Sequence, residues 1–214
     1  MTDHAVVPLV GLALAHESAV RHVTGTAHYI DDVAKPAGTL LVAPGWCREV
    51  AQGRLLGVDL SAVRAHPGVV AVLTAADVPG VNDCSPSVGG DPVFAEDRIR
   101  FHGQVVFAVV AVTRAQARAA ARLARFEVEA ERPAVSVVDA LDRGSDVLPP
   151  YEFRKGDAEA ALDDAPHRLA ESFFVGGQEH FYLETQIAYA EPIEGGEIRL
   201  TSSTQHPTEV SHVA

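Results

Sequence analysis

Gln104-Val105-Val106-Phe107-Ala108-Val109-Val110-Ala111-Val112-Thr113-Arg114-Ala115-Gln116-Ala117-Arg118-Ala119-Ala120-Ala121-Arg122-Leu123 is the stretch from which the architecture of this chain is read. Its first part, 104–112, is an apolar run far too short to span a bilayer, and it reads as a buried strand. Thr113 then offers a hydroxyl to cap a helix, and Gln116 sits three residues on, at the spacing of a capping box. The Ala-rich segment 115–123 has high helix propensity, and 126–130 returns as a strand. Strand, capped helix and strand in succession belong to an α/β or α+β unit.

Working back toward the N-terminus, 40–43 and 54–58 read as short strands. A brief helix over 61–65 is ended by Pro67-Gly68, and 69–73 is a β-rich run that Pro79-Gly80 closes. Residues 81–97 hold Pro86, Gly89-Gly90 and Pro92 among small polar residues, and read as a loop. Past residue 131 the texture shifts to Pro133, Pro149-Pro150 and scattered acids, with helical patches at 137–141 and 158–162, which is the look of a linker. A second strand-rich block begins near Arg168, turns at Glu194-Gly195-Gly196-Glu197 and returns as 198–202, a hairpin. No internal repeat is visible.

A length of 214 residues holds one large or two small domains with a substantial core. The net charge of −12, with only two lysines, Lys35 and Lys155, argues against nucleic acid or anionic lipid as a partner, because those surfaces need clustered Lys and Arg. Cys47 and Cys84 form no ligand-spaced set, so a disulfide framework, a zinc site and a protein-borne iron-sulfur cluster are unsupported, and a reducing cytoplasm is expected. The apolar segment 5–15 lacks a basic n-region and is interrupted by Pro8 and Gly11, so it does not read as a signal peptide.

The chemistry concentrates at Gly176-Gly177-Gln178-Glu179-His180-Phe181-Tyr182-Leu183-Glu184-Thr185-Gln186-Ile187. As a strand, this segment puts Gln178, His180, Tyr182, Glu184 and Gln186 on one face and Phe181, Leu183 and Ile187 on the other. Two readings stand. One is an amphipathic strand with a wet side; the other is the wall of a polar pocket, opened by a Gly-Gly pair that lets a ligand or another backbone come close. At a strand's rise, Gln178 and Glu184 sit roughly 20 Å apart, so at most one or two of these residues meet any one reacting centre.

Gly-Gly-Gln-Glu-His-Phe-Tyr-Leu-Glu-Thr resembles a signature of the molybdenum-binding subunit in the xanthine dehydrogenase and aldehyde oxidase family. Further segments agree in the family's order: Gly25-Thr26-Ala27-His28-Tyr29-Ile30-Asp31-Asp32, residues 67–80, residues 103–112 and Ser202-Ser203-Thr204-Gln205-His206-Pro207. The resemblance runs from about Leu9 to Ala214. It implies an α+β fold, an α/β hammerhead domain followed by the beginning of a molybdopterin-binding domain. The expected division is an N-terminal arm over 1–18, the hammerhead over 19–131, a linker over 132–164 and the truncated start of the cofactor domain over 165–214. The chain is accordingly expected to be a fragment, a truncated product or one piece of a split subunit, inactive alone.

What the resemblance implies for function is hydroxylation of a purine such as hypoxanthine or xanthine, a step of purine catabolism that takes its oxygen from water. Molybdopterin-bound molybdenum is the cofactor, and iron-sulfur clusters, FAD and NAD are expected on a partner subunit, since no motif for them occurs here. Gln178 is the cofactor-binding residue the resemblance implies. Its carboxamide is expected to donate to an oxo ligand of the molybdenum without ligating the metal or adding charge. Glu179 and Glu184 invite a general-base reading, but the family's catalytic glutamate is expected beyond Ala214, so both read as solvated or structurally paired. His180 and Tyr182 read first as structural hydrogen-bonding groups, with pocket lining as the alternative. His206 and His212 do not form a metal site, and Asp31-Asp32 favour turn or surface duties. An aldehyde-oxidising relative and a non-catalytic module that docks partner subunits are the rival expectations.

Overall fold

The computed structural model describes residues 10–86 and 88–214; the first part of the apolar run 5–15 lies outside them. The chain divides into two compact units, one formed by residues 37–179 and the other by the N-terminal residues up to 36 together with 180–214.

The larger unit is built around the apolar run. Its strand, β5 (Phe107–Ala111), is the middle of an antiparallel three-stranded sheet in which it pairs with β1 (Leu41–Gly45) and β3 (Val69–Leu73). As a central strand under a helix, β5 buries Phe107, Val109 and Ala111 fully on one face and Ala108 almost fully on the other, which explains an apolar run with little alternation. α3 (Arg114–Ala121) lies on this sheet and buries Ala117, Ala120 and Ala121, positions on one helical face whose small side chains allow close approach. Its N-cap forms as the sequence predicts, in a variant form. The Thr113 hydroxyl accepts from the Gln116 amide nitrogen at 3.2 Å and donates to Gln116 Oε1 at 2.9 Å, so the returning side chain meets the hydroxyl itself. β2 (Gly53–Asp59) carries the second sheet, pairing antiparallel with β4 (Arg98–Ile99) and β6 (Arg125–Ala130), with an irregularity in the β2–β6 register between Leu55 and Gly57. α2 (Ser61–Arg64) contributes fully buried Val63 to the common core, against which Leu55, Val58 and Phe126 of the second sheet also pack.

Three glycines of this unit, Gly45, Gly53 and Gly68, leave no room for a Cβ, and two of them show why. Gly68 has φ +85°, and a Cβ there would fall 2.3 Å from Cδ of Gln116. At Gly45 a Cβ would fall 2.1 Å from Cζ of Phe107, the residue paired with it across the sheet. The loop over 81–97 gains its order from side chains instead of a ladder. Asp83 accepts from the backbone nitrogens of Ser85 and Gly90, both at 2.8 Å, and Asn82 both donates to and accepts from the backbone of Phe94. The bonds to Asp83, with that of the Ser85 hydroxyl foremost and those of the Gly90 and Ser85 nitrogens next, hold its carboxyl down at about 2, below the usual carboxylate range. Beyond β6, α4 (Val137–Asp142) and α5 (Ala158–Asp163) are single short helices capped by Ser136 and Asp157, and neither buries a residue.

In the smaller unit, α1 (Ala19–Thr24) ends at Gly25 in the left-handed conformation. Tyr29 and Asp32 then bracket a 3-10 turn over Ile30–Asp32, with the Tyr29 nitrogen donating to Asp32 Oδ2 at 2.9 Å. A hairpin of β7 (Ala188–Pro192) and β8 (Ile198–Ser202) follows, closed by Gly195 and Gly196 at φ 78° and 81°, and the chain finishes in α6 (Pro207–Val213). The turn and the returning strand are those the sequence predicts. The outgoing strand is displaced: 178–187, expected as the polar-faced strand, has no ladder partner, and pairing starts only at Ala188. The local reason is Phe181, whose φ of 49° lies in the left-handed region and breaks an extended run. Among the described residues, no helix is long and apolar enough to cross a membrane.

Candidate cofactor-facing site

The segment 180–187 gets its hydrogen bonds from side chains around it, because a backbone without a ladder must still satisfy its polar groups. Ser203, just after β8, closes one side. Its hydroxyl donates to the Thr185 carbonyl at 2.8 Å and accepts from the Ile187 nitrogen at 2.9 Å, while its own nitrogen donates to the Ile187 carbonyl at 3.0 Å. On the other side the N-terminal turn reaches the segment. The Thr185 hydroxyl donates to Asp31 Oδ2 at 2.8 Å, and the Ile30 nitrogen donates to Glu184 Oε1 at 3.4 Å.

A cleft of about 750 Å³ lies within this unit, lined by His180, Tyr182, Glu184 and Gln186, by Ile187 of the expected opposite face, and by Ser202 to His206. Four of the five residues assigned to one face therefore line one cleft, although no strand puts them there. The Gln186 amide donates to the Tyr182 phenol oxygen at 2.6 Å, tying two of them together. Glu184 is half-buried and holds a backbone nitrogen, the structural pairing expected of it. Asp31 and Asp32 point apart and serve separate duties, one toward Thr185 and the other in its own turn. His206 opens α6 and faces Glu209 at 3.8 Å. Among the described residues, no three His, Cys, Asp or Glu side chains converge as a metal site.

Gln178 belongs to the end of the larger unit and does not line this cleft. It is exposed, on a segment without regular structure, just after two glycines around which an added Cβ would find no atom within 4 Å. An uncharged donor with open backbone beside it fits a bulky, anionic cofactor, which would be repelled by a carboxylate and excluded by a packed side chain at 176–177.

The residues missed in sequence are those that close two turns, one of which holds the segment. Tyr29 with Asp32 and Thr74 with Asp77 form the same reciprocal turn, the latter with the Thr74 nitrogen donating to Asp77 Oδ2 at 2.8 Å. The Thr-x-x-Asp spacing was a usable signal for the second. Nothing in the sequence links Asp31 to a threonine 154 residues away.

The pattern described as "Aldehyde oxidase and xanthine dehydrogenase, a/b hammerhead domain" matches residues 24–132, and that described as "Molybdopterin cofactor-binding domain" matches 142–214. The chain belongs to the aldehyde oxidase and xanthine dehydrogenase family. It is 36% identical over 201 residues to a xanthine dehydrogenase of Dictyostelium discoideum, covering 94% of this chain and 14% of that protein. A xanthine dehydrogenase of Oryza sativa subsp. japonica is 40% identical over 92% of this chain and 15% of its own length, and aldehyde oxidase 2 of Cavia porcellus is 36% identical over 94% and 15%. Among solved structures, the aldehyde oxidoreductase from Desulfovibrio gigas superposes with a TM-score of 0.73 at 27% identity, over 87% of this chain and 23% of that one. The two sheets and their helices are thus the hammerhead domain, and the residues after them begin a molybdopterin cofactor-binding domain. The chain spans about a seventh of the length of the xanthine dehydrogenases it resembles.

Proposed function

We propose that this chain is the N-terminal part of the molybdenum-binding subunit of a xanthine dehydrogenase, acting on hypoxanthine or xanthine in the cytoplasm with an iron-sulfur and FAD-bearing partner subunit and NAD as electron acceptor. The observation that carries the reading is Gly176-Gly177-Gln178, an exposed carboxamide beside open backbone, inside the residues that match a molybdopterin cofactor-binding domain. When bound, the molybdenum cofactor supplies the redox chemistry of hydroxylation. The role of this chain is to hold and orient: Gln178 donates a hydrogen bond to the cofactor, and its neutrality leaves the charge of the group unaltered. Neither Glu179 nor Glu184 acts as the base; Glu184 is committed to the Ile30 nitrogen.

The test is co-expression of a complete subunit containing this chain with its iron-sulfur/FAD partner, followed by metal analysis and assay with xanthine and with an aromatic aldehyde. The expected result is stoichiometric molybdenum and xanthine-dependent NAD reduction. Turnover of the aldehyde alone would replace the purine reading with the second one, an aldehyde-oxidising enzyme, which the equal 36% identity to an aldehyde oxidase and a xanthine dehydrogenase keeps in view. Absence of both metal and turnover would leave a subunit-docking module. The isolated chain is expected to bind no stoichiometric molybdenum and to reduce no NAD.

A further inference from the structure

We propose that the turn over Tyr29–Asp32 is a clasp that sets the position of the segment 180–187, which makes Asp31 and Thr185 positioning residues for the polar lining of the cleft in this unit and, on the functional reading above, for the part of the cofactor-binding domain that this segment forms. The segment has no ladder of its own, so its course is fixed by the side chains that grip it. Thr185 is gripped twice, its hydroxyl by Asp31 Oδ2 at 2.8 Å and its carbonyl by the Ser203 hydroxyl at 2.8 Å. Glu184, next to it, accepts from the Ile30 nitrogen at 3.4 Å. The backbone bends at 183–184, so two consecutive residues reach one turn and fix the rotation of the segment as well as its distance.

The turn is suited to this because it is itself closed. Asp32 Oδ2 accepts from the Tyr29 nitrogen at 2.9 Å, and the nitrogens of Asp32 and Val33 return to the carbonyls of Tyr29 and Ile30 at 3.0 and 3.1 Å. Asp32 therefore makes the turn and leaves Asp31 for the segment, a division of labour that explains two adjacent acids.

Amide hydrogen exchange of the full chain tests the clasp without reference to activity, in Asp31→Ala and Thr185→Val, which remove the bond, and Asp31→Asn and Thr185→Ser, which retain an acceptor and a donor. We expect the Ile30 and Ile187 amides to exchange about tenfold faster in the first pair and within about twofold of wild type in the second, with Phe107–Ala111 unchanged in all four. Unchanged exchange in Asp31→Ala would overturn the clasp, as would equal acceleration in all four variants. In the molybdenum-loaded enzyme, Thr185→Val is expected to keep its metal and its KM, to lower kcat about tenfold and to shift the paramagnetic signature of the metal, and Thr185→Ser to restore both. Wild-type levels of kcat and an unshifted signature in Thr185→Val would overturn the positioning role. A wild-type enzyme devoid of molybdenum would sink the functional reading alone, because exchange still decides the clasp.

Discussion

Gly45 shows how one absent side chain sets the packing of a domain. The Phe107 ring, fully buried, occupies the space in which a Cβ at Gly45 would stand, so the two residues form a complementary pair across the sheet. Gly45→Ala has no room to relax without moving that ring. It is expected to destabilise the chain by about 2 kcal/mol, read as a lower urea midpoint with the slope unchanged. On the proposed function, Gln178→Ala in the assembled enzyme is expected to lower activity by about 10- to 100-fold, measured as kcat per bound molybdenum, since it would remove the donor proposed for the cofactor without adding bulk. Of these residues, Gln178 is singled out in sequence by its two preceding glycines and following aromatics, and its role beside a cofactor is proposed on that resemblance. The need for glycine at 45 was not legible, since it depends on a phenylalanine 62 positions later that meets it only through strand register. Phe181 in the left-handed region was equally hidden, because residue type argues against it.

Among the elements, those with a local cause are the ones that the sequence disclosed. α3 follows from Thr113 and an alanine run, and Thr113→Ala is expected to cost about 1 kcal/mol in a urea titration by leaving the Gln116 nitrogen without its cap. The 81–97 loop owes its order to Asp83, whose carboxyl is lowered from an ordinary 3.8 to about 2 by Ser85 and by the Gly90 nitrogen. A depressed folded value stabilises the chain above the unfolded one and is lost as pH falls, here from about 4 down to about 2. Asp83→Asn is accordingly expected to flatten the fall in urea midpoint between about pH 4 and about pH 2, across this window; an undiminished fall would show that other carboxylates carry it. β4 escaped notice because two residues give no periodicity, and the outgoing hairpin strand was placed too early because alternation continued through a stretch whose polar groups are satisfied by side chains.

On the scale of the molecule, the fully buried apolar residues all lie between Ala43 and Ala121, so among the described residues the smaller unit contains none. A two-stranded hairpin with so little buried surface is marginal in water. Proteolysis is expected to remove 180–214 from the isolated chain while the hammerhead resists, and assembly with the rest of the enzyme to protect both. The division into a hammerhead followed by a cofactor domain was legible from the order of elements and the resemblance together. That residues before 36 fold against residues after 180 was not, because nothing local marks a contact across that separation. This path has a consequence during synthesis on the ribosome. The turn at Tyr29–Asp32 leaves the exit tunnel well before Thr185 is made, and at translation rates of about 5–20 residues per second it waits roughly 8–30 seconds for its partner. The residues of the hammerhead are made in that interval, and the turn stays open to chaperones until its much later partner arrives.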